Sequence, residues 1–331
     1  MKYSIALVTG ATSGLGYAAA RALAGEGWRE LIVTGRSLDR IQETAARLAA
    51  AARSQVFMPL ELDLNTPASV QSAVAELVKR DQAIDFLLLN AGLIPGKRRV
   101  LTPAGVEAAQ APLIGHHQLT VGLLRAKLLS PDARIVIAGS EAARGDVPLF
   151  GYTDVAALAA AAFRGDRSAA VKALMRSGPN VKYGANRAYA DAKTAVAWWA
   201  AALARRLPAG MAVYAVSPGS TPDTRGLRHA GPALKWLMVP LVKLIPGMAH
   251  SPETAALRYL QASTFGTDVS GQFFASAPNK LTGPIEAMRQ AHILDRANQE
   301  AAWRAVVDIS GVDLAHQDAV WRPAITEQET R

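Results

Sequence analysis

The fold class that this chain predicts is a parallel, doubly wound α/β sheet with helices on both faces, and three observations carry it. Short apolar runs at residues 4–9, 31–35, 55–60, 84–89 and 134–138 are separated by helical stretches such as 38–51 and 67–80. The runs are continuously apolar, as in Phe86-Leu87-Leu88-Leu89, so each strand is buried on both faces. The strand-then-helix order repeats, which fits parallel strands joined by crossover helices.

The elements follow in order. Thr66-Pro67 reads as a helix start, a hydroxyl cap followed by proline where no N–H is needed. A helix is expected over 187–207, then a strand at Ala212-Val213-Tyr214-Ala215-Val216 ending in Ser217-Pro218-Gly219. A further helix starts near Ser251-Pro252-Glu253, and a last strand lies near Gln272-Phe273-Phe274. A helical tail covers 285–331, helical over 285–312 and frayed at its end. Two stretches exceed the minimal pattern: an insertion at 141–186, and a Pro/Leu/Met-rich segment at 220–250 that reads as a substrate lid. With no composition shift and no internal repeat, residues 1–331 are expected to form one domain.

Half of the 331 residues are apolar and 19% are charged, enough for a sizeable core. The chain has no cysteine, which excludes disulfides, thiolate metal sites and cysteine nucleophiles and fits a cytoplasmic setting. No basic-then-apolar leader precedes the first strand. The most apolar later stretch, 232–249, is broken by prolines and carries Lys235 and Lys243, so no transmembrane segment is expected. Those lysines would let the lid rest on a membrane surface. The net charge of +9 comes from scattered arginines without interleaved aromatics, which argues against nucleic acid and suits a phosphorylated cofactor. His116 and His117 diverge by about 100° on a helix and belong to a core or interface rather than a metal site. Trp198 and Trp199 read as packing for an Ala-rich helix or for a subunit interface, which leaves a homodimer open.

The chemistry is carried by three groups. Thr9-Gly10-Ala11-Thr12-Ser13-Gly14-Leu15-Gly16 makes a glycine-rich turn between the first strand and helix, where the backbone can approach a pyrophosphate at a helix N-terminus. The second strand ends Val33-Thr34-Gly35-Arg36-Ser37. Arg36 stands where an NAD site would want a carboxylate, so NADP(H) is preferred, while Asp39 leaves NAD(H) open. The alternative for Arg36 is a solvated surface arginine. Finally, Tyr189-Ala190-Asp191-Ala192-Lys193 sets a phenol and an amine one helical turn apart, downstream of the strand that ends at Ser140. A proton donor, a cation that lowers its pKa and a hydroxyl beside the substrate oxygen are the parts that carbonyl reduction needs. Tyr183 has no such partner, since Arg187 stands four residues on.

With its GxxxGxG spacing, Ser140 and the Tyr/Lys pair, the chain resembles the short-chain dehydrogenase/reductase superfamily over residues 4–280. The resemblance implies a Rossmann-type domain, with Ser140, Tyr189 and Lys193 catalytic and Lys193 also on the nicotinamide ribose. It implies cofactor contacts from Gly10, Thr12, Ser13, Gly14, Leu15, Gly16 and Arg36. Asp63-Leu64 would lie at the adenine, Asn90-Ala91-Gly92 beside the ribose, and Pro218-Gly219 with Thr224 at the carboxamide. One position departs: Pro112, in Pro112-Leu113-Ile114-Gly115-His116, stands where the family commonly has an asparagine. Pro112 is expected to kink a helix and free the Ala108 carbonyl. The long insertion is similar to that of the retinol dehydrogenase and light-dependent protochlorophyllide oxidoreductase branch, though a chain without cysteine cannot share the latter's cysteine-dependent features. The implied substrate is a bulky apolar alcohol, ketone or aldehyde; a non-catalytic NADP(H) sensor is the alternative.

Overall fold

The computed structural model of the chain describes residues 4–178, 180–221 and 249–314. Eight strands form one sheet in the order β3-β2-β1-β4-β5-β6-β7-β8. They are β1 (Ile5–Val8), β2 (Glu30–Gly35), β3 (Phe57–Glu61), β4 (Ile84–Leu89), β5 (Leu129–Ala138), β6 (Ala212–Val216), β7 (Phe273–Ser276) and β8 (Ile285–Ala287). All neighbours pair in parallel except β7 and β8. The order reverses between β1 and β4, which opens a crevice beyond their carboxyl ends.

Each strand feeds two cores in alternation. Ile5 and Leu7 of β1, with Leu87 and Leu89 of β4, enter the core on one face; Ala6, Val8, Phe86 and Leu88 enter the other. This is why the sequence shows unbroken apolar runs. Pro59 is tolerated because β3 is the edge strand, where a missing N–H breaks no inner ladder.

One face carries α3 (Pro67–Arg80), α4 (Ala111–Arg125) and α7 (Ala185–Ala204); the other carries α1 (Gly14–Ala24), α2 (Leu38–Ala52) and α8 (Pro252–Ala262). Pro67 and Pro252 both open their helices, where the missing N–H costs nothing. Trp198 and Trp199 of α7 point into the core rather than outward, 3% and 0% exposed.

The insertion before α7 is ordered structure, not loop. It holds a 3₁₀ turn (Glu141–Arg144), α5 (Val155–Ala162) and α6 (Arg167–Arg176). Asp154 and Asp166 cap the two helices, accepting from the N–H of Ala157 and of Ala169 at 3.0 Å each. Arg167 ties α6 to the C-terminal helix through Asp295 at 2.8 Å.

The tail differs from a helix over 285–312. Residues 285–287 form β8, antiparallel to β7 at the sheet edge, and helix begins only with α9 (Ala291–Leu294) and α10 (Arg296–Ser310). Ile285-Glu286-Ala287 is too short to show a period, so pairing with β7 decided its state. Among the described residues no helix is long and apolar enough to cross a membrane. Most of the 220–250 segment, with Thr224, Lys235 and Lys243, lies outside the described residues.

Candidate active site

The glycine turn sits at the mouth of the crevice between β1 and β4. Gly10 has φ of 69°, and a Cβ there would stand 3.0 Å from the Ala91 Cα. A Cβ on Gly16 would lie 2.4 Å from the Gly10 oxygen and 2.6 Å from the Asn90 amide. Only glycine lets the turn, α1 and the end of β4 meet this closely. Gly14, at φ of 58°, opens α1, with Leu15 after it. Ser13 stands at the N-cap position, yet its side chain makes no capping hydrogen bond, so it leaves the first-turn N–H groups to another acceptor. Thr12 packs on Gly35, where an added Cβ would be 2.6 Å from its methyl group; the exposed Arg36 follows directly.

The end of β4 is locked to the end of β1. The Asn90 amide donates to the Thr9 carbonyl at 3.1 Å, and the Ala91 N–H donates to the Thr9 hydroxyl at 3.0 Å. That hydroxyl is also 2.9 Å from Nε2 of buried His116. Asp63 and Leu64 lie beyond the end of β3. The Asp63 carboxylate accepts from the Asn65 N–H at 3.0 Å, an Asx turn, and Leu64 packs on α4 at Gly115.

Tyr189 and Lys193 project from the first half of α7 into a cleft with about 350 Å³ of empty volume, shared with Ala91, Gly92, Leu93 and Pro112. Ser140, just past the end of β5, acts on the Tyr189 phenol and favours its ionised form. The Ser140 hydroxyl also accepts from the Ala142 N–H at 3.3 Å, which orients it. The Lys193 ammonium lies 5.8 Å from the Tyr189 ring centroid and donates to the Ala138 carbonyl at 2.7 Å. A Cβ on Gly92 would be 3.8 Å from that ammonium. Tyr189, Lys193, Ala91 and Gly92 therefore share one cleft, with Ser140 beside the Tyr189 phenol, while Arg36, Asp63 and Leu64 lie outside it.

Two expectations change. Burial pushes the Tyr189 phenol above its ordinary pKa, and Ser140 only partly offsets this; Lys193 does not bring it below. The lysine is itself pushed down to about 8 by burial. Pro112 does not kink a helix either. It stands in the first turn of α4, where no N–H is required, and the chain before it is a turn closed by Gln110 N–H and Ala111 N–H donating to the Glu107 carbonyl.

Behind Ser140 lies a buried ion pair. Glu141 accepts from Arg258 of α8 at 3.2 Å, from the Ser276 hydroxyl at 3.1 Å and from the Ser217 hydroxyl. Ser217 leads into Pro218-Gly219, and its hydroxyl also accepts from the Gly219 N–H at 3.2 Å. Gly219 has φ of 82°, and a Cβ there would be 2.1 Å from the His250 ring. The ends of β5, β6 and β7 are thus cross-linked next to Ser140.

The short chain dehydrogenase family model matches residues 4–153, which hold the glycine turn, the Asn90 segment and Ser140. Over that stretch the chain is similar to the short-chain dehydrogenase/reductase superfamily. Sulfoacetaldehyde reductase 2 of Chromohalobacter salexigens is 43% identical over 89 residues, 27% of this chain and 34% of that protein. Serine 3-dehydrogenase of Agrobacterium fabrum is 40% identical over 90 residues, again 27% and 34%. The matched part thus spans about a third of the length of these curated relatives. Among solved structures, an uncharacterized protein of Mycobacterium paratuberculosis superposes with a TM-score of 0.66 at 21% identity, covering 95% of each chain. A short chain dehydrogenase of Burkholderia cenocepacia in complex with NADP gives 0.57 at 25%, covering 82% of this chain and 94% of that one.

At this candidate site, the sequence reading missed Phe150. Its ring stands 6.0 Å from that of Tyr189, edge to face, yet it lies in an insertion with no pattern to mark it. It also missed the structural work of the histidines. His116 braces Thr9, and His117 bridges the Val312 carbonyl at 2.8 Å and the Trp199 indole N–H at 3.1 Å. The two serve different partners, and among the described residues no group of three or more His, Asp or Glu could hold a metal.

Burial lowers His116 to about 3 and His117 to about 4, so both are neutral in the fold. An unfolded chain takes up these protons below about pH 6.5, and the native state does so only near pH 4 and pH 3. Their stabilisation is complete above pH 6.5 and is lost as pH falls. Asp191, raised to about 6 by burial, works in the opposite sense and offsets part of the loss. The expected net loss from pH 7 to pH 5 is of order 2 kcal/mol, read from urea midpoints. An unchanged midpoint at pH 5 would contradict the assignment.

Proposed function

We propose that the protein is an NADP(H)-dependent oxidoreductase acting on the carbonyl or alcohol group of a bulky, largely apolar substrate, with Tyr189 as general acid and base. The observation that carries this reading is that Tyr189 and Lys193 share one cleft with the Ala91-Gly92 segment after β4, with Ser140 acting on the Tyr189 phenol. The nucleotide cradle fits: Gly10 and Gly16 leave no room for a side chain, and the Ser13 side chain leaves the first turn of α1 free to meet a phosphate. When bound there, the nicotinamide supplies or accepts hydride.

The chain's own residues do the rest. The Tyr189 hydroxyl hands its proton to the developing alkoxide in reduction and takes it back in oxidation. Its high pKa in the fold makes the protonated form dominant at neutral pH, the form that reduction requires. Ser140 supports charge at the substrate oxygen. Lys193 places an ammonium beside the phenolate that reduction leaves, and it can turn from the Ala138 carbonyl to a ribose hydroxyl. Leu93, Leu113 and Val196 give the cleft apolar walls, which favours an apolar substrate.

NADP(H) rather than NAD(H) rests on Arg36, exposed at the end of β2 with no carboxylate in its place. Solved relatives that carry NADP, such as the Burkholderia cenocepacia enzyme, support it. Arg36→Glu is expected to weaken NADPH at least about tenfold while changing NADH less than about threefold. Equal effects on both cofactors would contradict the 2′-phosphate role. The function is tested by following cofactor oxidation against a panel of aldehydes, ketones and steroids. NADPH binding without turnover across the panel would favour a sensor over an enzyme.

A further inference from the structure

A second cavity lies beside the catalytic cleft, on another stripe of α7. The cleft uses Tyr189, Ala192, Lys193 and Val196, whereas this cavity uses Arg187, Ala188 and Asp191. It lies between the turn before α4, the end of α6 and the start of α7.

Its floor is chemically incomplete. Glu107 and Gln110 line it and are each 2% exposed. One oxygen of the Glu107 carboxylate accepts from the Ala109 N–H at 2.9 Å. The other, Oε1, finds no partner among the described residues, and neither does Oε1 of Gln110. The backbone holds Glu107 in place, its N–H donating to the Met175 carbonyl at 2.8 Å. Nearby groups cannot complete the floor. Asp191 is taken by Thr153, through its N–H at 2.6 Å and its hydroxyl at 2.9 Å, and the Tyr183 hydroxyl donates to the Gly96 carbonyl at 2.7 Å. Buried acceptors in a native fold are normally met, so these two oxygens call for a further donor.

The rim has the opposite character. Lys182 and Arg187 line the same cavity and are exposed. An acceptor floor under a cationic rim is matched by a molecule with an ammonium at one end and an acidic group at the other. Water would meet the oxygens but would leave this polarity unused.

We infer that this cavity is a binding site for a small zwitterion of the amino-acid type, its ammonium on Glu107 and Gln110 and its acid group toward Lys182 and Arg187. The site stands apart from the hydride-transfer reading, because no group of the catalytic cleft contributes to its floor or rim.

The test is calorimetric titration of the full chain with glycine, methylammonium and acetate as probes, with the thermal midpoint as a second readout. Glycine should bind saturably at roughly millimolar concentration and raise the midpoint. Methylammonium, which lacks the acid end, should bind about tenfold more weakly, and acetate should give no saturable signal. Glu107→Gln should abolish the glycine response. Should that variant fold poorly, Lys182→Ala at the exposed rim keeps the test open: it should weaken glycine and leave methylammonium unchanged. Three results would overturn the inference: no saturable response to glycine, methylammonium binding as tightly as glycine, or a glycine response that survives both substitutions. In the first case the floor completes itself with water or with a turned Gln110 amide.

Discussion

Tyr189→Phe is expected to lower turnover by about 10²–10⁴-fold, the range for loss of a positioned proton donor, which corresponds to roughly 3–5 kcal/mol of barrier. The substitution removes one oxygen and keeps the ring, so the edge-to-face contact with Phe150 at 6.0 Å survives. The glycine turn and the Asn90 lock to Thr9 are untouched, so NADPH affinity should change by less than about threefold. Loss of the phenol oxygen beside Ser140 should cost no more than about 1 kcal/mol of stability. The expected outcome is therefore a fall in kcat with cofactor binding and the thermal midpoint nearly intact, measured by cofactor oxidation, calorimetry and thermal melts on the same samples. Retention of more than about a third of the wild-type rate would assign the proton to another group.

The parts of the site that repeat a local pattern were legible in the chain. Gly10, Gly14 and Gly16 carry their steric role in their spacing, and Tyr189 and Lys193 share a helix face by their separation. The strands were legible because burial on both faces leaves an unbroken apolar signature, as at residues 84–89. What escaped depended on distance along the chain. Glu141 meets Arg258 across 117 positions, and His117 meets Val312 across 195. No periodicity links such residues. The direction of the Tyr189 shift escaped for a related reason: the sequence shows the lysine one turn away, but the burial that outweighs it exists only once α7 has packed against β5 and the 3₁₀ turn. Pro112 was readable as a helix disruptor, and only the place where α4 begins shows that it starts the helix instead.

Glu141→Ala should destabilise the fold by about 3–5 kcal/mol, because it leaves the Arg258 guanidinium buried without its counter-charge. Both side chains are 6% exposed, so water cannot replace the lost carboxylate. The Ser217 and Ser276 hydroxyls lose their acceptor at the same time. Arg258 keeps two carbonyl partners, Ser217 at 3.1 Å and Gly283 at 2.6 Å, which argues for the lower end of that range. Glu141→Gln retains the shape and one acceptor oxygen and should cost less. Replacing both members by apolar residues of similar volume, Glu141→Leu with Arg258→Met, should recover much of the single-variant loss, because no unpaired charge then stays buried. Denaturant midpoints of the wild type, Glu141→Leu, Arg258→Met and the double variant measure the coupling, and a loss under about 1 kcal/mol for Glu141→Ala would show that the pair contributes little. The pair bears on catalysis through place rather than contact. It joins the residue after Ser140 to the residue before Pro218-Gly219, so the double variant, even if stable, should bind NADPH more weakly and turn over more slowly than the wild type.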